Sequence, residues 1–121
     1  LSELCELPLS PKLEGLSLKP LLEDPNRPWK SAAFNQYPRD YTAVKHTRHG
    51  DVMGYSIRTE RFRYVQWREW ISGKALVHEL YDQRTDPNEM RNLAGHPEYA
   101  STLIQHQRQL DAGWKRAIPT E

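Results

Sequence analysis

Apolar and polar residues alternate along the middle of the chain and recur at spacings of three and four near its end, so strands give way to helix. Ala32 to Tyr37 reads as a short strand closed by Pro38. Met53, Tyr55 and Ile57 alternate with Gly54, Ser56 and Arg58, which predicts a second strand from Met53 to Arg58. Thr59-Glu60 is a short connection, and Arg61 to Glu69 alternates Phe62, Tyr64 and Gln66 with Arg63, Val65 and Trp67, so the pair is expected to be an antiparallel hairpin. Ser72-Gly73-Lys74 supplies a turn into a fourth strand, Ala75 to Tyr81, with Leu76, His78 and Leu80 set against Val77, Glu79 and Tyr81.

Beyond the strands the grammar becomes helical. Asp86-Pro87-Asn88-Glu89 has the form of a capped helix start: a side-chain acceptor, a proline at the first helical position, and a glutamate three residues after the cap. Gly95 ends the short helix this predicts. Pro97 to Lys115 predicts a longer helix, with Leu103, Ile104, Leu110 and Trp114 on the covered face and Gln105, Arg108 and Gln109 toward water. These elements define the fold class as α+β, a small antiparallel sheet of about four strands with a C-terminal helix packed on one face.

The first 30 residues read differently. Pro8, Pro11, Pro20, Pro25 and Pro28, with Gly15, make a turn-rich connector holding at most one short helix, capped by Ser17, with Pro20 in its first turn and its stop at Asp24-Pro25. Leu1, Leu4 and Leu7 recur at helical spacing from the first residue, as the end of a helix would if its beginning lay upstream. The expected organisation is therefore a connector over 1–30 and an α+β unit over 31–121.

Composition narrows the function classes. At 121 residues, 37% hydrophobic and 27% charged, the chain supports one modest core. The formal net charge is +1 with bases interspersed among acids, which argues against nucleic acid or anionic lipid as a partner. No apolar run has the length of a membrane span. The one cysteine, Cys5, cannot form an internal disulfide, and the five histidines show no metal-ligand spacing, so neither a disulfide framework nor a zinc site is expected.

Three stretches, read together, resemble the carboxy-terminal end of the sulfatase family. Leu13-Glu14-Gly15-Leu16-Ser17-Leu18-Lys19-Pro20-Leu21-Leu22 is similar to an element that follows the large catalytic domain of many sulfatases. Glu79-Leu80-Tyr81-Asp82, then Asp86-Pro87-Asn88-Glu89 and Asn92-Leu93-Ala94, looks like the signature of the last strand and helix of bacterial members. Gln36-Tyr37-Pro38-Arg39, followed by Met53-Gly54-Tyr55-Ser56-Ile57-Arg58-Thr59 and Tyr64, narrows the likeness to the iduronate-2-sulfatase type. The resemblance implies a subdomain of an alkaline-phosphatase-like α/β enzyme that cleaves sulfate esters of sulfated glycans outside the cytoplasm, in a periplasmic, secreted or lysosomal setting. It further implies an amino-terminal catalytic domain as partner, carrying a formylglycine and a calcium ion. Cys5 is followed by Glu6-Leu7-Pro8-Leu9 and lacks the serine and arginine of a formylglycine motif, so this chain alone is expected to be inactive and without a cofactor.

In such enzymes the segment joining the first strand to the Met-Gly-Tyr-Ser strand lies near the mouth of the active site. That makes Lys45, Arg48, His49 and Arg39 the candidate substrate-binding residues, for cationic groups suit the carboxylate and sulfate oxygens of a glycan. His46 belongs to the same stretch. The competing readings are a solvated loop for Lys45 to His49, and for Arg39 an ion pair at the seam between subdomains. Tyr55, Phe62, Tyr64, Trp67 and Trp70 are expected to fill the core in preference to forming a sugar platform. Trp114 and Trp29 are expected to fill gaps against the sheet or the partner domain. A non-catalytic glycan-binding module derived from a sulfatase is the alternative function.

Overall fold

A computed structural model describes residues 1–39 and 52–119. Four antiparallel strands follow one another in chain order: β1 (Ala33–Arg39), β2 (Val52–Arg58), β3 (Phe62–Glu69) and β4 (Ala75–Asp82). The expected hairpin between β2 and β3 forms, and its turn is closed by Thr59 N donating to Phe62 O (2.9 Å). The β3–β4 turn reverses at Gly73, whose φ of +68° is the left-handed conformation that glycine adopts at least cost. A bulge between Trp67 and Arg68 leaves Leu76 without a partner, so Leu76 leaves the row of His78 and Leu80 and is exposed.

Register puts Phe34, Ile57, Tyr64 and Leu80 in one row across the sheet. Ile57, Tyr64 and Leu80 are buried to within 1% of full enclosure, and with Leu93 they form the core. The terminal helix, α2 (Ala100–Ala112), follows a 3-10 turn at Pro97–Tyr99 and packs over β2 and β3 on that face. Tyr99, Leu103, His106 and Leu110 supply its covered stripe. Ile104 and Trp114, expected on that face, are exposed instead, and Gln109, expected in water, is half-buried. Trp114 falls beyond the break at Gly113, in a second 3-10 turn, so it leaves the helical phase that the spacing assumed. Trp70 is exposed as well, since β3 ends at Glu69 and the ring sits in the turn that follows.

No helix forms between Asp86 and Gly95, contrary to the capping pattern. Glu89 takes φ +55°, and its carboxylate pairs with Arg63 and Gln83 instead of reaching back to cap a helix. Asp86 accepts from Arg91 N (2.8 Å), five residues on. Tertiary pairing draws the segment out along the sheet. Leu93 N donates to Leu80 O (2.8 Å), Asn92 Oδ1 accepts from Leu80 N (3.0 Å), and Asn92 Nδ2 donates to His78 O (3.2 Å). Asn92 and Leu93 thereby cover the outer edge of β4, where unpaired backbone would otherwise invite another chain.

The connector holds α1 (Lys19–Glu23), which stops at the extended Asp24 as expected. Ser17 Oγ accepts from Lys19 N (3.2 Å), but Leu18 occupies the cap position and no side chain caps it. The first residues form a turn, with Leu7 N bonded to Ser2 O (2.9 Å), and not a helix end.

Candidate functional site

The sheet face opposite α2 carries Tyr37, Gly54, Trp67 and Val77 in one row and Asn35, Ser56, Val65 and Glu79 in the next. A shallow groove of about 200 Å³ runs between them. Trp67 is fixed there from several sides. Its indole N–H donates to Glu79 Oε1 (2.8 Å), and its six-membered ring lies flat over Gly54. A methyl group on Gly54 would stand 2.7 Å from Trp67 Cζ3, inside any tolerable contact. Gly54→Ala should therefore turn the indole out of its seat and cost about 1–3 kcal/mol, the usual range for overpacking. Loss of the tryptophan near-ultraviolet circular dichroism with a lowered Tm checks this; an unchanged signal would mean that the ring does not depend on a bare Cα.

Arg39 is the last residue of β1, and its guanidinium lies 5.2 Å from the centroid of Trp67. Of the four predicted substrate residues it alone falls in the described structure; Lys45, Arg48 and His49 lie outside the described residues, as does His46. The flanking residues are informative: Arg39 and Val52 are partners across β1 and β2. The segment holding the other three candidates thus starts and ends on adjacent strands at one end of the sheet, beside Trp67. The same face carries a second cation over an aromatic ring, Arg63 at 5.5 Å from Tyr81, with Arg63 also paired to Glu89. Tyr81 donates to Glu79 Oε2 (3.2 Å), and its hydroxyl pKa is raised, first by burial and then by the Glu79 charge. A glutamate that accepts from both Trp67 and Tyr81 has its oxygens engaged, so it serves this face as a brace.

On the helix side a polar seam joins β3 to α2. Arg68 pairs with Asp111 (2.7 Å), donates to the buried Gln66, and lies 4.9 Å from the Tyr55 ring. Tyr64 bonds His78 Nδ1 at 2.7 Å, and enclosure pushes its pKa up to about 12. His106 is buried between helix and sheet: Thr102 O accepts from Nδ1 (2.7 Å), which places a proton there, and Nε2 meets Thr59 Oγ1 (3.1 Å). Periodicity alone does not mark His106 as a core residue, because an apolar stripe is a pattern of hydrophobic types and histidine is not one of them.

At the end of β4, Asp82 is 1% exposed and receives two bonds from Arg61 Nε (3.0 and 3.1 Å), one from Arg61 Nη2 (2.6 Å) and one from Arg84 N (3.1 Å). The Arg61 hydrogen bonds hold its pKa at about 2, overcoming the burial that would raise it. This ties the aspartate of the Glu-Leu-Tyr-Asp stretch to folding. Among the described residues no group of three or more His, Cys, Asp or Glu could hold a metal ion, and Cys5 is exposed in the connector.

Comparison with known proteins gives the family. Residues 1–115 match the model of the N-sulphoglucosamine sulphohydrolase C-terminal family. The chain is 33% identical over 94 residues to an N-acetylglucosamine-6-O-sulfatase of Bacteroides thetaiotaomicron, covering 73% of this chain and 15% of the relative. It is 29% identical over 113 residues to a delta 4,5-hexuronate-2-O-sulfatase of the same organism, covering 92% and 21%. A solved structure of an enzyme in complex with its substrate D-glucosamine-2-N,6-O-disulfate superposes with a TM-score of 0.69 at 27% identity, over 96% of this chain and 22% of that one. The chain thus spans about a fifth of the length of these relatives.

Proposed function

The chain belongs to the N-sulphoglucosamine sulphohydrolase C-terminal family, and from that premise we propose that it is the carboxy-terminal subdomain of an enzyme that hydrolyses sulfate esters of a sulfated glycan. The observation that carries the reading is the family match over 1–115, joined to relatives named as sulfatases of two different sugars, an N-acetylglucosamine and a hexuronate. In this proposal the hydrolytic chemistry, with its formylglycine and calcium, belongs to an amino-terminal catalytic domain. The subdomain supports that domain, and the protein works outside the cytoplasm. No helix among the described residues is long and apolar enough to cross a membrane.

The part assigned to this chain is recognition. Arg39 stands at the end of the sheet where the strand carrying Met53 and Gly54 begins, and Lys45, Arg48 and His49 lie in the sequence between those strands. Cations there would meet the sugar's carboxylate or a neighbouring sulfate. The Gln36-Tyr37-Pro38-Arg39 and Met53-Gly54-Tyr55-Ser56 stretches favour a uronate 2-O-sulfate as the ester cleaved.

The test uses the full-length protein and two heparin-type disaccharides, one sulfated only at the uronate 2-position and one only at the glucosamine 6-position. Turnover of the first is expected, with KM raised about tenfold by Lys45→Ala or Arg48→Ala and kcat little changed, since each removes a charge contact, worth about 1.4 kcal/mol, that is made equally in the ground state and the transition state. Turnover of the second alone would exclude the 2-O reading. No turnover of either, with salt-sensitive binding intact, would instead favour a glycan-binding module.

A further inference from the structure

The two edges of the sheet are treated differently. Asn92 and Leu93 cover β4, whereas among the described residues the backbone of Ala33–Arg39 bonds only to β2, and the bond from Ser31 N to Ala117 O (3.2 Å) precedes the strand. Edge strands that must stay single usually carry charge or a bulge. Pro38 and Arg39 guard the far end of β1 with a proline and a charge, whereas the stretch Ala33-Phe34-Asn35-Gln36-Tyr37 carries neither and keeps an unbroken register with β2. Beside this edge runs a groove of about 610 Å³, walled by Phe34 and Tyr55 from the sheet, by Leu110 of α2, and by Trp114 and Ile118 beyond it. Trp114 is 37% exposed there, although the sequence asks for it to be covered. In the adjoining pocket of about 100 Å³, Gln109 has a buried Oε1 without a partner among the described residues.

We propose that an extended segment of the large amino-terminal domain docks on β1 as a fifth strand and sets apolar side chains into this groove. The inference rests on the reading of the chain as the end of a longer sulfatase, and the relatives supply the occupant's source, since about four-fifths of their length lies outside the region matched here. An added strand would satisfy the outward N–H and C=O groups of β1 and cover Phe34 and Trp114. The seam between the domains would then be a continuous sheet in place of a surface contact, which holds the Arg39 end of β1 in fixed register with the catalytic domain.

Hydrogen exchange in the full-length protein tests this. In an antiparallel edge strand roughly half of the amides point away from the sheet. With a docked strand, all amides from Ala33 to Tyr37 should exchange at least ~100-fold more slowly than an open edge, independently of protein concentration. Rapid exchange of the outward half overturns the proposal, and protection that grows with concentration assigns the edge to a second copy and overturns it too. Ala33→Glu supplies the companion measurement: Ala33 is exposed in this chain, so a charge there is tolerated unless something covers it. The variant should lower Tm and free the β1 amides; an unchanged Tm with slow exchange overturns the docking. Sulfatase turnover of the unmodified protein separates the two ideas. A protein that turns over sulfate esters with an open β1 edge loses the docking alone, and one without turnover loses the parent reading and this inference with it.

Discussion

Replacing Asp82 with alanine should lower the unfolding free energy by about 3 kcal/mol, because it removes a buried carboxylate that accepts from Arg61 and from the Arg84 backbone. The cost falls at the low end for a broken buried pair, since the Arg61 side chain is 43% exposed and can return to water. Asp82→Asn keeps an acceptor for Arg84 N and should cost less. The same carboxylate makes stability depend on acid. Its folded pKa of about 2 lies below its ordinary 3.8, so the unfolded chain binds the proton more tightly. The stabilisation, ~2 kcal/mol, is complete above about pH 4 and is lost as pH falls through the folded value near 2. Urea unfolding at pH 7, 4 and 2.5 should show the wild type converging on D82A as acid is added. Parallel curves with a constant gap would show that Asp82 acts through shape and not through charge.

The strands were legible because one sheet face is packed by a helix and the other carries polar residues, which is the condition that writes alternation into a sequence. β2 and β3 alternate in residue type, although Gly54 and Val65 are also buried on the face opposite α2, and the Thr59-Glu60 turn sits where the alternation pauses. The segment from Asp86 to Gly95 departs from its local helix signals for a physical reason. Its local signals for a helix start are sound, but Asn92 and Leu93 gain more by pairing with Leu80 across the edge of β4 than a short helix gains from its cap. Leu76 and Trp114 were misplaced by a bulge and by a helix break, each of which resets the phase of a periodic count.

The candidate site was legible as a place and not as a geometry. A resemblance located Arg39, but only register shows Arg39 beside Val52 and Trp67 beside Gly54. The Met-Gly-Tyr-Ser stretch illustrates the gap. Nothing local demands glycine at 54, since it sits in an ordinary strand; the demand comes from the indole of the neighbouring strand lying on it. Such a requirement is long-range and leaves no trace in the spacing of residues. Asp82 and His106 were hidden in the same way, being polar residues whose burial is set by partners on other elements.

Tyr64→Ala should be the most destabilising single change in the chain, by about 4 kcal/mol, and comparison with Tyr64→Phe separates its two contributions. The ring is fully enclosed between the sheet and α2, in the row with Ile57 and Leu80, so truncation leaves a cavity where strands and helix meet. Phenylalanine keeps that volume and loses only the bond to His78 Nδ1, at about 1 kcal/mol. Enclosure also gives the hydroxyl an alkaline signature. Its folded pKa of about 12 lies above the ordinary 10, so the native contribution is intact below pH 10 and is lost as pH rises through 12, because unfolding releases a phenol that ionises readily. Wild type should therefore lose stability between pH 10 and 12 more steeply than Y64F, whose ring has no proton to release. Equal alkaline slopes for the two proteins would place the ionising group elsewhere, and a Y64A cost near that of Y64F would show that the row Phe34, Ile57, Tyr64, Leu80 is not the packing centre that its burial describes.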